Sequence, residues 1–191
     1  SIMEGKMDIK TIFANVDCVI INEGENFNYT DIEYDSRKVK DGTIFAALEG
    51  AKVDGHDFIA KAVEMGAKMV IVSKQVEIAD KRIAVIKVEN LRQKLGIIAS
   101  NFYRWPQNEL KIIGVTGTKG KTTTTYLMET VLGSNITSRI GTIEYKIGDE
   151  VIEANNTTPE SLDIVKICRK SVDKGMKNLV MEVSSHALDM G

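Results

Sequence analysis

The fold is decided by the stretch Lys111-Ile112-Ile113-Gly114-Val115-Thr116-Gly117-Thr118-Lys119-Gly120-Lys121-Thr122-Thr123. Its apolar run, Ile112, Ile113 and Val115, predicts a short buried strand. A glycine-containing turn follows, and Thr123 to Leu132 has the composition of a helix. Strand, glycine loop, Gly-Lys-Thr and helix form the arrangement that a phosphate-binding loop requires. Successive backbone N–H groups wrap a phosphate, and the helix N-terminus adds partial positive charge. In this reading Lys121 reaches the β- and γ-phosphates, and the Thr122 hydroxyl holds Mg²⁺. The general pattern has a glycine five positions before Gly120, where this chain has Val115. The competing reading is a strand-to-helix turn with surface lysines.

Downstream, Thr142 to Ile147 and Val151 to Ala154 flank Gly148-Asp149 and predict a β-hairpin. Thr158-Pro159 predicts a helix start, with Leu162, Val165, Cys168 and Val172 inward and Gly175 at the end. Cys168 then reads as core rather than nucleophile. Asn178 to Val183 is a near-continuous apolar run, as in a parallel strand covered on both faces. Glu182 sits near its C-terminal end, where open α/β sheets bind ligands. Buried glutamates are rare unless paired or metal-bound, so Glu182 is the candidate partner of Thr122 for Mg²⁺; the alternative is a carboxylate turned to solvent. His186 follows two serines, but no Gly-x-Ser-x-Gly elbow and no orienting acid accompany it, so it reads as lining the site. Asn156-Thr157-Thr158 offers an amide and hydroxyls, or else a helix cap. The sheet is expected to be cut after Val183.

Upstream, Met7 to Val16 predicts a short helix with Ile9, Ile12 and Phe13 on one face. Asp31 to Asp35 predicts an edge strand and Thr43 to Leu48 another strand. Asp57 to Met65 predicts a helix with Phe58, Ala62 and Met65 inward, stopped by Gly66. Met69 to Ser73 and Ile83 to Val88 are two further strands, which makes a small α/β unit. After Asn90 as cap, Leu91, Leu95, Ile98 and Phe102 mark one helix face, ending at Trp105-Pro106. His56 reads as packing or capping its loop rather than binding a metal. Pro106 to Leu110 marks a boundary.

Composition narrows the class. The 191 residues are 43% hydrophobic and 27% charged, as in soluble globular proteins. A net charge of −2 gives no broad affinity for nucleic acid or acidic membranes. Cys18 and Cys168 have no metal spacing and suggest a reduced, cytoplasmic setting. No apolar run approaches membrane-spanning length, and Ser1 to Lys6 lacks the core of a signal peptide.

Taken together, several stretches resemble the Mur ligases of peptidoglycan synthesis. Gly117-Thr118-Lys119-Gly120-Lys121-Thr122 is similar to that family's Gly-Thr-Asn-Gly-Lys-Thr loop, with Lys119 in place of the usual asparagine. Asp35-Ser36-Arg37, Asp41 to Leu48 and Asp54-Gly55-His56 resemble the N-terminal domain of members that add the third or last peptide unit. Asn156-Thr157-Thr158-Pro159 and Met181 to Leu188 point to the members adding the third amino acid to UDP-N-acetylmuramoyl-L-alanyl-D-glutamate.

The resemblance implies an ATP-dependent amide ligase that works through an acyl phosphate and serves cell-wall growth, cell shape and division. It implies ATP on Gly117, Thr118, Lys119, Gly120, Lys121, Thr122 and Thr123, and Mg²⁺ on Thr122 and Glu182. Lys121 and His186 would serve catalysis. Tyr34, Ser36, Ala51, Lys52 and Val53 would hold the uridine nucleotide, and Asn156, Thr157, Thr158 and Ser184 the muramoyl peptide. The partners implied are UDP-MurNAc-dipeptide, ATP and a free amino acid, diaminopimelate or lysine, with neither nucleic acid nor membrane.

The expected fold is α/β: a small N-terminal uridine-nucleotide-binding domain, 1–106, then part of a P-loop-type, mostly parallel central sheet domain, 107–191. The chain is expected to be an N-terminal fragment. Without the resemblance, the loop alone also suits another Mur ligase, a P-loop kinase or NTPase, or a non-catalytic nucleotide-binding module. The first 105 residues argue against an ordinary kinase, which has no reason to carry the Asp-Ser-Arg unit.

Overall fold

The computed structural model describes residues 7–154 and 158–184. The chain divides into two compact units, Ser1–Phe102 and Tyr103–Gly191, with the division ahead of Pro106.

The first unit is a five-stranded sheet of order β1-β5-β4-β3-β2. The strands are β1 (Val19–Asn22), β2 (Asp31–Glu33), β3 (Thr43–Ala46), β4 (Met69–Val72) and β5 (Ala84–Lys87). β2 to β5 run parallel, and β1 joins the β5 edge antiparallel. Valine and isoleucine dominate β4 and β5 because both faces are covered, which leaves no polar alternation. Val70, Val72 and Val85 point to one core with Phe45, Ile59 and Ala62. Ile44, Met69, Ile71 and Ile86 on the opposite face are fully buried as well. Helices α1 (Ile9–Ile12), α2 (Ile59–Glu64) and α3 (Leu91–Tyr103) complete the unit. Leu91, Leu95 and Ile98 are buried on α3, while Phe102 is half-buried.

The second unit has β6 (Lys111–Val115), α4 (Lys121–Leu132), β7 (Thr137–Ile140), β8 (Glu144–Ile147), β9 (Glu150–Glu153), α5 (Ser161–Asp173) and β10 (Asn178–Glu182). The sheet order is β6-β10-β7-β8-β9. β10 runs parallel to both β6 and β7, whereas β8 and β9 form the expected antiparallel hairpin. Ile140, Ile147, Ile167, Cys168 and Leu179 form its apolar core.

Several expectations are corrected. β1 and β7 were not foreseen. A 3₁₀ turn, Gly55–Phe58, precedes α2 and shifts its phase. Ile59 and Ala62 are therefore the buried positions, while Phe58 and Met65 are each 38% exposed. Helix α5 begins at Ser161 rather than at Pro159, because Glu160 and Asp163 form a reciprocal capping box there. β10 has a neighbour on each side, and among the described residues the sheet's edge strands are β9 and β6; β6, predicted as buried, leaves Ile112 42% exposed.

Candidate nucleotide and cation site

The candidate phosphate loop joins β6 to α4. Gly117 and Gly120 take positive φ of 138° and 78°, a backbone form that side chains with a Cβ resist. Gly120 sits at the N-cap of α4, and a Cβ built on it meets nothing within 4 Å. The glycine is thus needed for its conformation, and the space beside the helix N-terminus stays open, as a phosphate requires. Lys119, Thr122 and Thr123 are exposed and Lys121 is half-buried.

Strand register brings Glu182 to this loop. Glu182 pairs with Val115, the last residue of β6, and the Val183 N–H continues the pairing to the Val115 carbonyl at 2.9 Å. The Thr122 hydroxyl donates to Glu182 Oε1 at 2.8 Å, across 60 positions of sequence. The expected pair is therefore assembled. A hydroxyl and a carboxylate beside an open phosphate cradle make an all-oxygen donor set, which fits Mg²⁺.

A cavity of about 290 Å³ opens next to the pair. Lys121, Thr142, Thr158, Glu182 and Ser184 supply its polar lining, and Ile140, Ile164 and Met181 part of its apolar wall. Lys121, Thr158, Glu182 and Ser184 thus meet as expected. Asn156, Thr157 and His186 lie outside the described residues. The sequence reading missed Gly141 and Thr142. The Thr142 N–H donates to Glu182 Oε2 at 3.0 Å. Their one signal was position: a Gly-Thr pair directly after a strand, at its C-terminal end.

Next in sequence to Ile140, which lines the cavity, Arg139 centres a charge cluster. Arg139, 4% exposed on β7, donates from Nε to Glu129 Oε2 at 2.9 Å and from Nη2 to Glu144 Oε1 at 3.0 Å. Lys146 donates to Glu129 Oε1, and the Tyr126 ring covers the Arg139 guanidinium at 3.9 Å.

In the first unit, the candidate uridine-nucleotide residues follow the C-terminal ends of the parallel strands β2 and β3. Tyr34 is half-buried just past β2, and Ser36 is buried at the start of the 3₁₀ turn Ser36–Lys38. Asp35 caps that turn, and its hydrogen bond from Arg37 lowers its pKa. Ala51, Lys52 and Val53 are exposed in a turn closed by the Gly50 N–H on the Val53 carbonyl at 2.8 Å. His56 locks this turn to β4. Its Nε2 accepts the Ser73 N–H at 3.1 Å, which leaves Nδ1 to donate to Asp54 at 2.7 Å. Both ring nitrogens are engaged, as expected of a packing histidine. Lys74 first, and His56 after it, hold the Asp54 carboxyl well below its usual range.

Two profiles of one family match the chain: "Mur ligase middle domain" over residues 115–191 and "Mur ligase family, catalytic domain" over residues 28–103. The chain belongs to the Mur ligase family. Among related Mur ligases, the UDP-N-acetylmuramoyl-L-alanyl-D-glutamate--2,6-diaminopimelate ligase of Fusobacterium nucleatum is 53% identical over 181 residues, 94% of this chain and 37% of that protein. The enzyme of the same name from Clostridium tetani is 43% identical over 187 residues, 95% of this chain and 38% of that protein. The chain therefore spans well under half the length of these relatives. Among solved structures, one of a UDP-N-acetylmuramoyl-L-alanyl-D-glutamate--2,6-diaminopimelate ligase superposes with a TM-score of 0.66 at 27% identity, covering 86% of this chain and 34% of that one. The MurF ligase from Thermotoga maritima in complex with ADP gives 0.58 at 27% identity, covering 81% and 32%. No helix among the described residues is long and apolar enough to cross a membrane.

Proposed function

We propose that this chain supplies the nucleotide- and muramoyl-peptide-binding parts of an ATP-dependent amide ligase acting on UDP-N-acetylmuramoyl-L-alanyl-D-glutamate. The observation that carries the reading is the 2.8 Å hydrogen bond between Thr122 of the phosphate loop and Glu182 of β10, at the mouth of the cavity lined by Lys121, Thr158 and Ser184. The names of the relatives favour 2,6-diaminopimelate over lysine as the incoming amino acid.

In this reading the second unit is the ATP domain. The N–H groups of Gly117 to Thr123 cradle the phosphates, and Lys121 neutralises charge at the γ-phosphate as a carboxylate oxygen of the substrate attacks it. ADP leaves, and an acyl phosphate remains. The amine of the amino acid then attacks the acyl carbon, and inorganic phosphate departs with the C–O electron pair. Thr122 and Glu182 would hold Mg²⁺, whose chemistry is to offset negative charge on the phosphates. Thr158 and Ser184, with Asn156 and Thr157, hold the peptide, and His186 lines the site. The first unit is the uridine-nucleotide domain, through Tyr34, Ser36 and the turn Ala51 to Val53, and the setting is the cytoplasm.

The test uses the complete ligase. Lys121→Ala should lower amide formation by at least ~10²-fold, the scale of losing one charge-stabilising contact in a transition state. Ser36→Ala should instead weaken the uridine substrate about fivefold, the equivalent of one hydrogen bond, and leave ATP affinity unchanged. Undiminished turnover in Lys121→Ala defeats the reading.

A further inference from the structure

We infer that Gly141 and the main-chain amide of Thr142 are positioning groups for Glu182, holding one carboxylate oxygen in place so that the other is free for a divalent cation. The inference rests on the reading of Thr122 and Glu182 as cation holders.

The two oxygens of Glu182 have different partners. Oε1 accepts from the Thr122 hydroxyl at 2.8 Å, and Oε2 accepts from the Thr142 N–H at 3.0 Å. A hydroxyl can turn its lone pair toward a cation and give up its bond to Oε1. An amide N–H has no lone pair to offer, so its bond to Oε2 persists. Oε2 is therefore the anchored oxygen and Oε1 the available one.

Gly141 makes this contact possible. A Cβ built there would stand 2.9 Å from Glu182 Oε2 and 3.3 Å from the Glu144 carbonyl oxygen. A larger residue must displace the Glu182 carboxylate from its position against the Thr142 N–H.

The turn itself is braced. The Gly141 N–H donates to the Glu144 carbonyl at 3.0 Å. The Glu144 carboxylate accepts from Arg139 and from the Tyr126 hydroxyl, both at 3.0 Å. Tyr126 and Glu129, the other partner of Arg139, lie on α4, one and nearly two turns beyond Thr122. Both arms that hold Glu182 are thus tied to the same helix. Carboxylates that ligate metals are themselves oriented by hydrogen bonds, and losing such a partner typically costs 10–100-fold in metal affinity.

The test is the Mg²⁺ dependence of ATP binding, followed by calorimetry. Gly141→Ala should raise the half-saturating Mg²⁺ concentration about 10–100-fold and leave ATP binding in EDTA unchanged. A loss of packing alone lowers the melting temperature but does not move the Mg²⁺ dependence. In a Glu182→Gln background, Gly141→Ala should add nothing. An unshifted Mg²⁺ dependence in Gly141→Ala, or an equal shift in both backgrounds, overturns the inference. If Glu182→Gln alone moves nothing, the cation reading of the pair falls first and takes the inference with it.

A second measurement does not depend on Gly141→Ala folding or on ATP. In Glu182→Ala, amide hydrogen exchange should accelerate at least about tenfold at Thr142 and stay unchanged at Gly141, whose N–H goes elsewhere. Unchanged exchange at Thr142 also overturns the inference.

Discussion

The middle strands of the two sheets are equally buried and chemically opposite. β4 reads Met69-Val70-Ile71-Val72, every residue fully buried. β7 reads Thr137-Ser138-Arg139-Ile140, with exposures of 0, 0, 4 and 2%. The first strand is held by area removed from water, which is non-directional. The second is held by partners. Asn178 Nδ2 donates to Thr137 Oγ1 at 3.2 Å, and Ser138 Oγ lies 2.7 Å from Ser171 Oγ. Arg139 is satisfied by Glu129 and Glu144. A strand can therefore lie at the centre of a sheet with a single apolar residue, here Ile140, provided that each polar group is paired. The polar strand also ties the second unit's centre to α4 and α5 along defined directions.

The contrast can be broken most sharply at Arg139. Arg139→Ala leaves Glu129 buried and short of a partner and should destabilise the second unit by about 3–5 kcal/mol, read as a drop in that unit's thermal midpoint. Replacing Arg139, Glu129 and Lys146 together by methionine should recover most of the loss, since the one charge left, Glu144, is partly exposed and keeps the Tyr126 hydroxyl. A loss below about 1 kcal/mol in Arg139→Ala would mean that the cluster contributes little.

The apolar strand should respond more gently. Ile71→Val removes one methylene and should cost about 0.5–1.5 kcal/mol in the first unit only, measured by denaturant unfolding with separate probes for the two units. A cost equal to that of Arg139→Ala would erase the distinction.

The smallest effect is expected at Glu150, where Lys170 and Lys174 close on one exposed carboxylate at 2.7 and 2.8 Å. Lys170, then Lys174, lower its pKa to about 2 from an ordinary 4.5. A lowered folded pKa stabilises above the unfolded value, so this contribution is complete above about pH 4.5 and fades as pH falls toward 2. Glu150→Gln should flatten that part of the acid-unfolding curve of the second unit, and salt should shrink the difference. A variant whose acid limb matches the wild type under low salt removes Glu150 from the account.

The same contrast explains what the sequence made legible. The apolar runs of β3, β4, β5 and β10 stood out because parallel strands buried on both faces need β-branched residues. The glycine loop after β6 and Glu182 could be singled out because phosphate and cation binding would require those residue types at those places. β7 was hidden because its burial rests on hydrogen bonds from residues 33 to 41 positions away, or on the neighbouring helix α4. β1 was hidden for the opposite reason: Val19 and Ile20 are 60% and 51% exposed, so no alternation marks them. The start of α5 was misplaced because Thr158-Pro159 is a good helix opening in isolation, and only the Glu160–Asp163 box decides between the two. Gly141 and Thr142 escaped because the amide that touches Glu182 belongs to the main chain, which every residue has.

Cys168 gives the second unit an internal clock. It is fully buried on α5, and burial pushes its thiol up to about 11. Near neutral pH only about one thiol in 10⁴ is ionised, and the thiolate is the form that reacts. The folded unit thus shields this sulfur twice, from contact and from ionisation. Both shields fall together when α5 lifts from the sheet, so the rate at which Cys168 is alkylated counts the openings of the second unit. Cys18, half-buried in the first unit, keeps time there on a different scale.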